Sequence, residues 1–320
     1  MVNPDVTDKL KVGVVGVGSL GCHHARIYAD LAAAELVGVF DVNANKAADV
    51  ASQYGTRAFD DLQTFAQHVD AASVAVPTDK HFETFSKLAQ HNLHMLVEKP
   101  IAPTTREAEL MVQLAHDKNL ILQVGHVERF NPVMTFLEKN LTHPRFIEAT
   151  RLASYPVSRA DGLPRGTEVS VVLDLMIHDI EIILHIVNSS PQEIHAVGIP
   201  ILSSSEDIAN VRISFDNGCV ANVTSSRVSQ KRLRQIRIFQ EDTYVSLDYT
   251  EQAGQLLRIK DNGIAPEEVP ITKGEPLVAE LSAFVECVRH RNDPVVTGLH
   301  ASRALDLAVE ICKRIRECPS

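Results

Sequence analysis

The chain has 320 residues, 45% of them hydrophobic and 22% charged, which is enough for about two globular domains with sizeable cores of their own. Thirty-one Lys and Arg against 41 Asp and Glu leave a net charge of −10, which excludes a general nucleic-acid binder because that function needs a basic surface. The same balance permits an anion held by a few local cations or by backbone N–H groups.

The first third alternates short apolar runs with helical spacing. Val12-Gly13-Val14-Val15 predicts a buried strand, and Leu20, His24, Ile27, Tyr28 and Leu31 recur at helical spacing after it. Further strands are expected at 36–40, 71–76, 95–97 and 120–124, with helices near 43–54, 81–91 and 104–118. Strands that are continuously apolar and alternate with helices imply a parallel sheet covered on both faces. From about residue 145 the period changes to two. Val211, Ile213 and Phe215 alternate with Arg212 and Ser214, and Asp216-Asn217-Gly218 and Asp261-Asn262-Gly263 read as turns. The last segment is helical again, over 277–289 and 301–316. The expected fold is an N-terminal doubly wound Rossmann sheet over 1–125. A substrate-binding and oligomerisation α+β domain over 126–320 follows, built on a large, mostly antiparallel open sheet.

Five cysteines, Cys22, Cys219, Cys287, Cys312 and Cys318, are odd in number and widely spaced with no C-x-x-C pair, so reduced thiols are expected. The N-terminus lacks the apolar run of a signal peptide and no stretch is long and apolar enough for a membrane span, so a cytoplasmic protein with no membrane partner is expected.

Gly16-Val17-Gly18-Ser19-Leu20-Gly21 lies between the first strand and the first helix. Its glycines suit a tight turn, a close approach to a pyrophosphate, and helix-on-strand packing. The helix N-terminus beyond it offers N–H groups and a positive dipole end to phosphates. An acidic residue is expected about 20 positions on, and Asp41 stands 20 positions after Gly21. A carboxylate there accepts hydrogen bonds from ribose hydroxyls and repels a 2′-phosphate, which predicts NAD over NADP.

Ligands of a doubly wound sheet bind beyond the carboxyl ends of its strands. Pro77 to His81, Glu98-Lys99-Pro100 and His126 are candidates there. Asp174-Leu175-Met176-Ile177-His178 puts a carboxylate and an imidazole four residues apart in an apolar run, on one helical face. The spacing alone leaves an acid–base pair, a structural pair and a metal site open, since Glu181 and His185 continue along the same side.

In this order and at these separations, the glycine fingerprint, Glu98-Lys99-Pro100 and the Asp174/His178 pair resemble the glucose–fructose oxidoreductase/inositol dehydrogenase/MocA (Gfo/Idh/MocA) family. The resemblance extends through Gly125 to Pro132 and through Glu275-Pro276-Leu277, Glu280-Leu281 and Phe284-Val285. Within the family, His126-Val127-Glu128-Arg129-Phe130-Asn131-Pro132 and 173–180 resemble the subgroup that oxidises the 3-hydroxyl of UDP-N-acetylglucosamine (UDP-GlcNAc), a step before an aminotransferase installs a 3-amino group on the way to lipid A. The resemblance implies that Gly16, Gly18, Ser19, Leu20, Gly21, Asp41, Pro77, His81, Glu98 and Lys99 bind NAD. His178 is then the general base and Lys99 the cation beside the reacting oxygen, with Asp174 orienting ring or substrate. His126 and Arg129 are expected at the substrate as well.

No metal is expected. A UDP-sugar needs cations, and Arg159 and Arg165 or the Lys231, Arg232 and Arg234 cluster can supply them, with Tyr155 stacking on uracil. Partners implied are a second copy, as homodimer or homotetramer through the C-terminal sheet, and a sugar aminotransferase. A dehydrogenase of a free sugar, polyol or inositol is the nearer alternative, and a non-catalytic NAD-binding sensor the more distant one.

Overall fold

The computed structural model describes residues 9–155, 169–260 and 263–317. Its contacts divide the chain into two units, 1–127 with 275–302, and 128–274 with 303–320.

The first unit begins β1 (Leu10–Val15), α1 (Gly21–Asp30), β2 (Ala34–Phe40), α2 (Ala44–Tyr54), the two-residue β3 (Arg57–Ala58) and α3 (Leu62–Ala66). It continues with β4 (Ala71–Val74), α4 (His81–Ala89), β5 (His94–Glu98), α5 (Thr105–Asp117) and β6 (Leu122–Gly125). The strands form one parallel sheet in the order β3-β2-β1-β4-β5-β6. This is the doubly wound order whose reversal, between β1 and β4, opens a ligand crevice. The expected strands and helices are present to within a few residues. The short β3 and α3 carry too little periodicity to be foreseen.

Local chemistry explains the helix ends. Asn43 accepts the Lys46 N–H to start α2, and Gly55 ends it at φ 62°. Thr104 accepts the Glu107 N–H while its hydroxyl donates to the Glu107 carboxylate, opening α5.

The second unit holds α6 (Pro132–Asn140), β7 (Pro144–Leu152), α7 (Ile177–Val187), β8 (Pro191–Ile199), β9 (Ile208–Phe215), β10 (Val220–Ser226), β11 (Leu233–Gln240), β12 (Thr243–Asp248), β13 (Ala253–Lys260) and β14 (Gly263–Glu267). Its eight strands run β14-β13-β12-β11-β7-β10-β9-β8, and only the β7/β10 pair is parallel. One face is apolar: Ile147, Val211, Ile213, Val223, Ile236 and Ile238 are buried. Ile177, Ile180 and Ile183 of α7 join the same core. The opposite parity carries cross-strand polar pairs, Arg212 with Asn222 at 3.1 Å, Asn210 with Thr224 at 2.8 Å and Arg237 with Glu148 at 3.0 Å. Such cross-strand pairs keep that face polar and each contributes roughly 0.2–1 kcal/mol.

The domain boundary differs from the expectation. The chain crosses at 127, but 275–302 return to the first unit, whereas the sequence places all of 126–320 in the second. The helix α8 (Pro276–His290) packs Leu281, Phe284 and Val285 into the core of Val12, Val14 and Ile27. The last helix, α9 (Gly298–Glu317), starts in the first unit and belongs to the second from Arg303. Nothing in the local spacing of a helix says which core its apolar stripe will meet.

One buried group of the first unit sets an acid limit on stability. His94 Nδ1 accepts the Ile121 N–H at 2.9 Å. Burial, with Arg291 nearby, brings its pKa down to about 4. The unfolded chain takes up this proton near ~6.5, whereas the folded chain holds off until about 4. His94 thus contributes its full share of stability above pH ~6.5 and loses it as pH falls through that window. We expect the urea midpoint to fall between pH 6.5 and 4, with a shallower fall in His94→Gln. Parallel profiles would assign the acid loss to other groups.

Candidate functional site

The fingerprint turn follows β1 as the glycine chemistry requires. Gly16 has φ +84°, and a Cβ on it would lie 2.8 Å from the Ala75 carbonyl oxygen. A Cβ on Gly21 would lie inside the Gly16 carbonyl, so only glycine lets α1 start this close to the strand. Gly18 is different: a Cβ there would meet nothing within 4 Å. That open side, at the start of a helix, is where a pyrophosphate can approach backbone N–H groups. Ser19 and Leu20 lie in the same turn.

Asp41 ends β2 beside this turn. Its Oδ2 accepts the Val17 N–H and its Oδ1 the Asn43 N–H, both at 2.8 Å. The carboxylate is therefore held in place by backbone on both sides, and each oxygen retains acceptor capacity. The glycine turn and the fixed carboxylate fit a dinucleotide with an unmodified adenosine ribose.

Beyond β4, His81 is buried and faces two carbonyl oxygens, Pro100 O at 2.9 Å from Nδ1 and Val76 O at 3.0 Å from Nε2. Burial lowers its pKa, so at neutral pH the ring donates from one nitrogen. Pro77 lies between Val76 and a 3₁₀ turn, Thr78–Lys80.

Beyond β5, Lys99 is half-buried and Glu98 fully buried. The Glu98 carboxylate turns inward. Its Oε2 accepts the Lys99 N–H at 3.2 Å, and its Oε1 lies 3.1 Å from Nε2 of His24 on α1. It fills the space that a side chain on Gly125 would need, 2.8 Å from such a Cβ. Glu98 is expected at NAD, and its carboxylate lies in this interior cluster. Tyr28 shares the cluster, with its hydroxyl 2.8 Å from Ser73 Oγ, as does Glu280 of α8. Burial, reinforced by Glu98, holds the Glu280 carboxyl well above the ordinary carboxylate range. His126 is buried just past β6, with its N–H on Val124 O at 2.7 Å.

In the second unit Asp174 and His178 are both half-buried. Asp174 lies in a π-helical turn, Val172–Met176, that leads directly into α7. The expectation of a regular helical face is corrected to this wider turn, a feature frequent at functional sites. His178 is the second residue of α7, and its successor anchors the helix. Asp179 forms a fork with Arg151: Nε donates to Oδ2 at 2.8 Å and Nη2 to Oδ1 at 2.9 Å. Arg151 also donates to Glu128 at 2.9 Å, and Glu128 receives Arg234 at 2.9 Å and Asn131 at 3.2 Å. Two residues on from Asp179, Glu181 accepts Arg129 at 2.7 Å. Burial lifts the Glu181 pKa to about 7 against the pull of Arg129.

These contacts revise two readings. Arg129, expected at the substrate, is buried and committed to Glu181. Glu181 and His185, the possible extension of a metal site, face Arg129 and Glu138 instead. No group of three or more His, Cys, Asp or Glu among the described residues is placed to hold a metal.

Tyr155 donates to Leu202 O at 3.4 Å. Lys231 and Arg232 are exposed, and Arg234 is tied to Glu128. Arg159 and Arg165 lie outside the described residues. Arg151 and Asp179 were not foreseen, although a signal existed: Arg151 shares the buried parity of Ile147 and Ala149 on β7, where a lone charge needs a partner.

Family models match both units, "Oxidoreductase family, NAD-binding Rossmann fold" over 10–126 and "GFO/IDH/MocA C-terminal domain" over 138–245. A UDP-N-acetylglucosamine 3-dehydrogenase of Acidithiobacillus ferrooxidans is 34% identical over 94% of this chain and 96% of its own. The chain belongs to the Gfo/Idh/MocA oxidoreductase family. A scyllo-inositol 2-dehydrogenase (NAD(+)) of Bacillus subtilis is 24% identical over 96% of this chain and 94% of its own. A solved structure of a UDP-N-acetylglucosamine 3-dehydrogenase from A. ferrooxidans superposes with a TM-score of 0.91, covering 97% of this chain and 99% of that one at 32% identity. The membership makes this protein an oxidoreductase with an NAD-binding Rossmann domain. No helix among the described residues is long and apolar enough to cross a membrane.

Proposed function

We propose that this oxidoreductase uses NAD to oxidise the 3-hydroxyl of UDP-GlcNAc to the 3-keto sugar. The observation that carries the reading is its 34% identity, over nearly the full length of both chains, with a UDP-N-acetylglucosamine 3-dehydrogenase. When bound, NAD supplies the hydride acceptor. Gly16, Gly18 and Gly21 admit its pyrophosphate, and Asp41 takes the adenosine ribose hydroxyls. His178 accepts the hydroxyl proton of the sugar, with Asp174 orienting the ring or the substrate. Lys99 stabilises negative charge developing on that oxygen. The polar face of the C-terminal sheet joins two copies, and the keto product passes to a sugar aminotransferase.

The test is NADH formation against a panel of UDP-GlcNAc, free GlcNAc, glucose and myo-inositol, with a ketone trap because alcohol oxidation is uphill at neutral pH. UDP-GlcNAc should lead in kcat/KM. Turnover of inositol or free sugar with none of the nucleotide sugar would move the protein to another branch of the family, and no turnover of any alcohol with NAD bound would favour a sensor.

Asp41 offers a separate check on the cofactor. A hydrogen bond to a charged group contributes about 1.5–3 kcal/mol, so Asp41→Asn should weaken NAD binding by roughly 10- to 100-fold. It should also narrow the preference for NAD over NADP. Equal NADP and NAD affinity in the wild type would reject this assignment.

A further inference from the structure

The turn that carries Lys99 is held on each side by a buried histidine. Before it, Glu98 meets His24, whose Nε2 stands 3.1 Å from Oε1, while the other oxygen takes the Lys99 N–H. After it, the Pro100 carbonyl faces His81 Nδ1 at 2.9 Å. His24 is fully buried and His81 nearly so. Both reach elements that border the glycine turn. His24 sits on α1, three residues past Gly21. His81 Nε2 faces Val76 O at 3.0 Å, and an alanine Cβ on Gly16 would touch the same segment at Ala75. Glycine at 125 leaves room for the Glu98 carboxylate, and burial beside Glu98 shifts the Glu280 carboxyl toward its uncharged form.

We propose that His24 and His81 are positioning residues that clamp the Lys99 turn to the cofactor-side segments α1 and 75–77. The clamp rests on Lys99 acting as proposed above, but its geometry stands without that role. A buried imidazole is suited to the task because it is rigid and holds a polar atom at a fixed ring edge, His24 Nε2 toward Glu98 and His81 toward the Pro100 and Val76 carbonyls, one of which takes its N–H. Leucine fills similar volume and provides no polar atom.

The experiment reads Lys99 directly. Wild type, His24→Leu and His81→Leu are labelled with a limiting amine-reactive probe. The rate at Lys99 is then measured by peptide mass spectrometry relative to Lys46 and Lys87, with and without NAD. The relative Lys99 rate is expected to change severalfold in each leucine variant, and its response to NAD to shrink. An unchanged ratio and an unchanged NAD response in folded leucine variants would overturn the clamp. So would a fall in melting temperature with no change in the ratio, which is what a scaffolding role produces. If leucine prevents folding, His24→Gln and His81→Gln decide: an intermediate shift of the ratio supports the clamp and a wild-type ratio rejects it. Turnover is the second arm. With NAD saturating, kcat on UDP-GlcNAc should fall by about 10- to 100-fold with little change in KM, since small displacements in a site have costs of this order. The glutamine variants should recover part of it. If the wild type leaves UDP-GlcNAc untouched, the proposed substrate fails while the labelling result still decides the clamp.

Discussion

His178→Asn is expected to lower kcat by about 10²–10⁴, the usual contribution of a general base, with NAD affinity and melting temperature unchanged. The expectation follows from position. His178 is half-buried on the first turn of α7, next to a π-helical turn that carries Asp174. The bonds among Arg151, Asp179 and Glu128 join those three side chains directly, so they persist when His178 is replaced. Asparagine keeps a donor and an acceptor near the ring's Nδ1 position but cannot take up a proton at neutral pH. Turnover near the wild-type value would remove His178 from the chemistry and transfer attention to Lys99. Asp174→Asn should have a smaller effect if the carboxylate only orients the ring, because an amide oxygen can still accept one hydrogen bond.

Arg151→Met should destabilise the second unit by about 3–5 kcal/mol, the range for removing one partner of a buried ion pair. Arg151 and Asp179 are each 2% exposed, so Asp179 left alone has neither its partner nor water. Asp179→Asn should cost less, because Arg151 keeps Glu128. Glu128 in turn keeps Arg234 when Arg151 is lost. The double variant Arg151→Met/Asp179→Leu should therefore recover much of the loss, since it removes the stranded charge along with its partner. Urea midpoints at constant m-value measure all three. A cost below about 1 kcal/mol for Arg151→Met would mean that water reaches the pair and that it behaves like a surface bridge. Because Asp179 directly follows His178, the same variants report how tightly the base is held.

The junction stretch 126–132 shows how a motif can be legible while its work is not. It pointed to a subgroup of the family, and Arg129 in it looked like a substrate contact. In the fold Glu128, Arg129 and Asn131 serve the interior: they receive Arg151, reach Glu181 and open α6. Beyond the local cap on α6, their contacts to Arg151, Glu181 and Tyr249 span 23 to 118 positions in sequence. Periodicity and spacing act over a few residues and carry no information at that range. The glycine turn is the opposite case. A positive φ, a close helix start and an aspartate at the next strand end are all local demands, and each was met at the expected residue.

The sequence by itself therefore determined what depends on short range. This covers the parallel and antiparallel halves, the dinucleotide turn with Asp41 and the helical character of the stretch that carries Asp174 and His178, though not its π-helical turn. Each follows from φ preference, side-chain period or hydrogen bonding between near neighbours. Only the tertiary structure decided which charges are buried and with whom. It returned α8 to the first unit, enclosed Glu280 beside Glu98, turned Arg129 inward and set a histidine on each side of Lys99. The physical reason is that burial is a property of the assembled surface. A carboxylate or imidazole has the same local pattern whether it meets water or a folded interior, and its charge, its partner and hence its use are settled only when distant elements close around it.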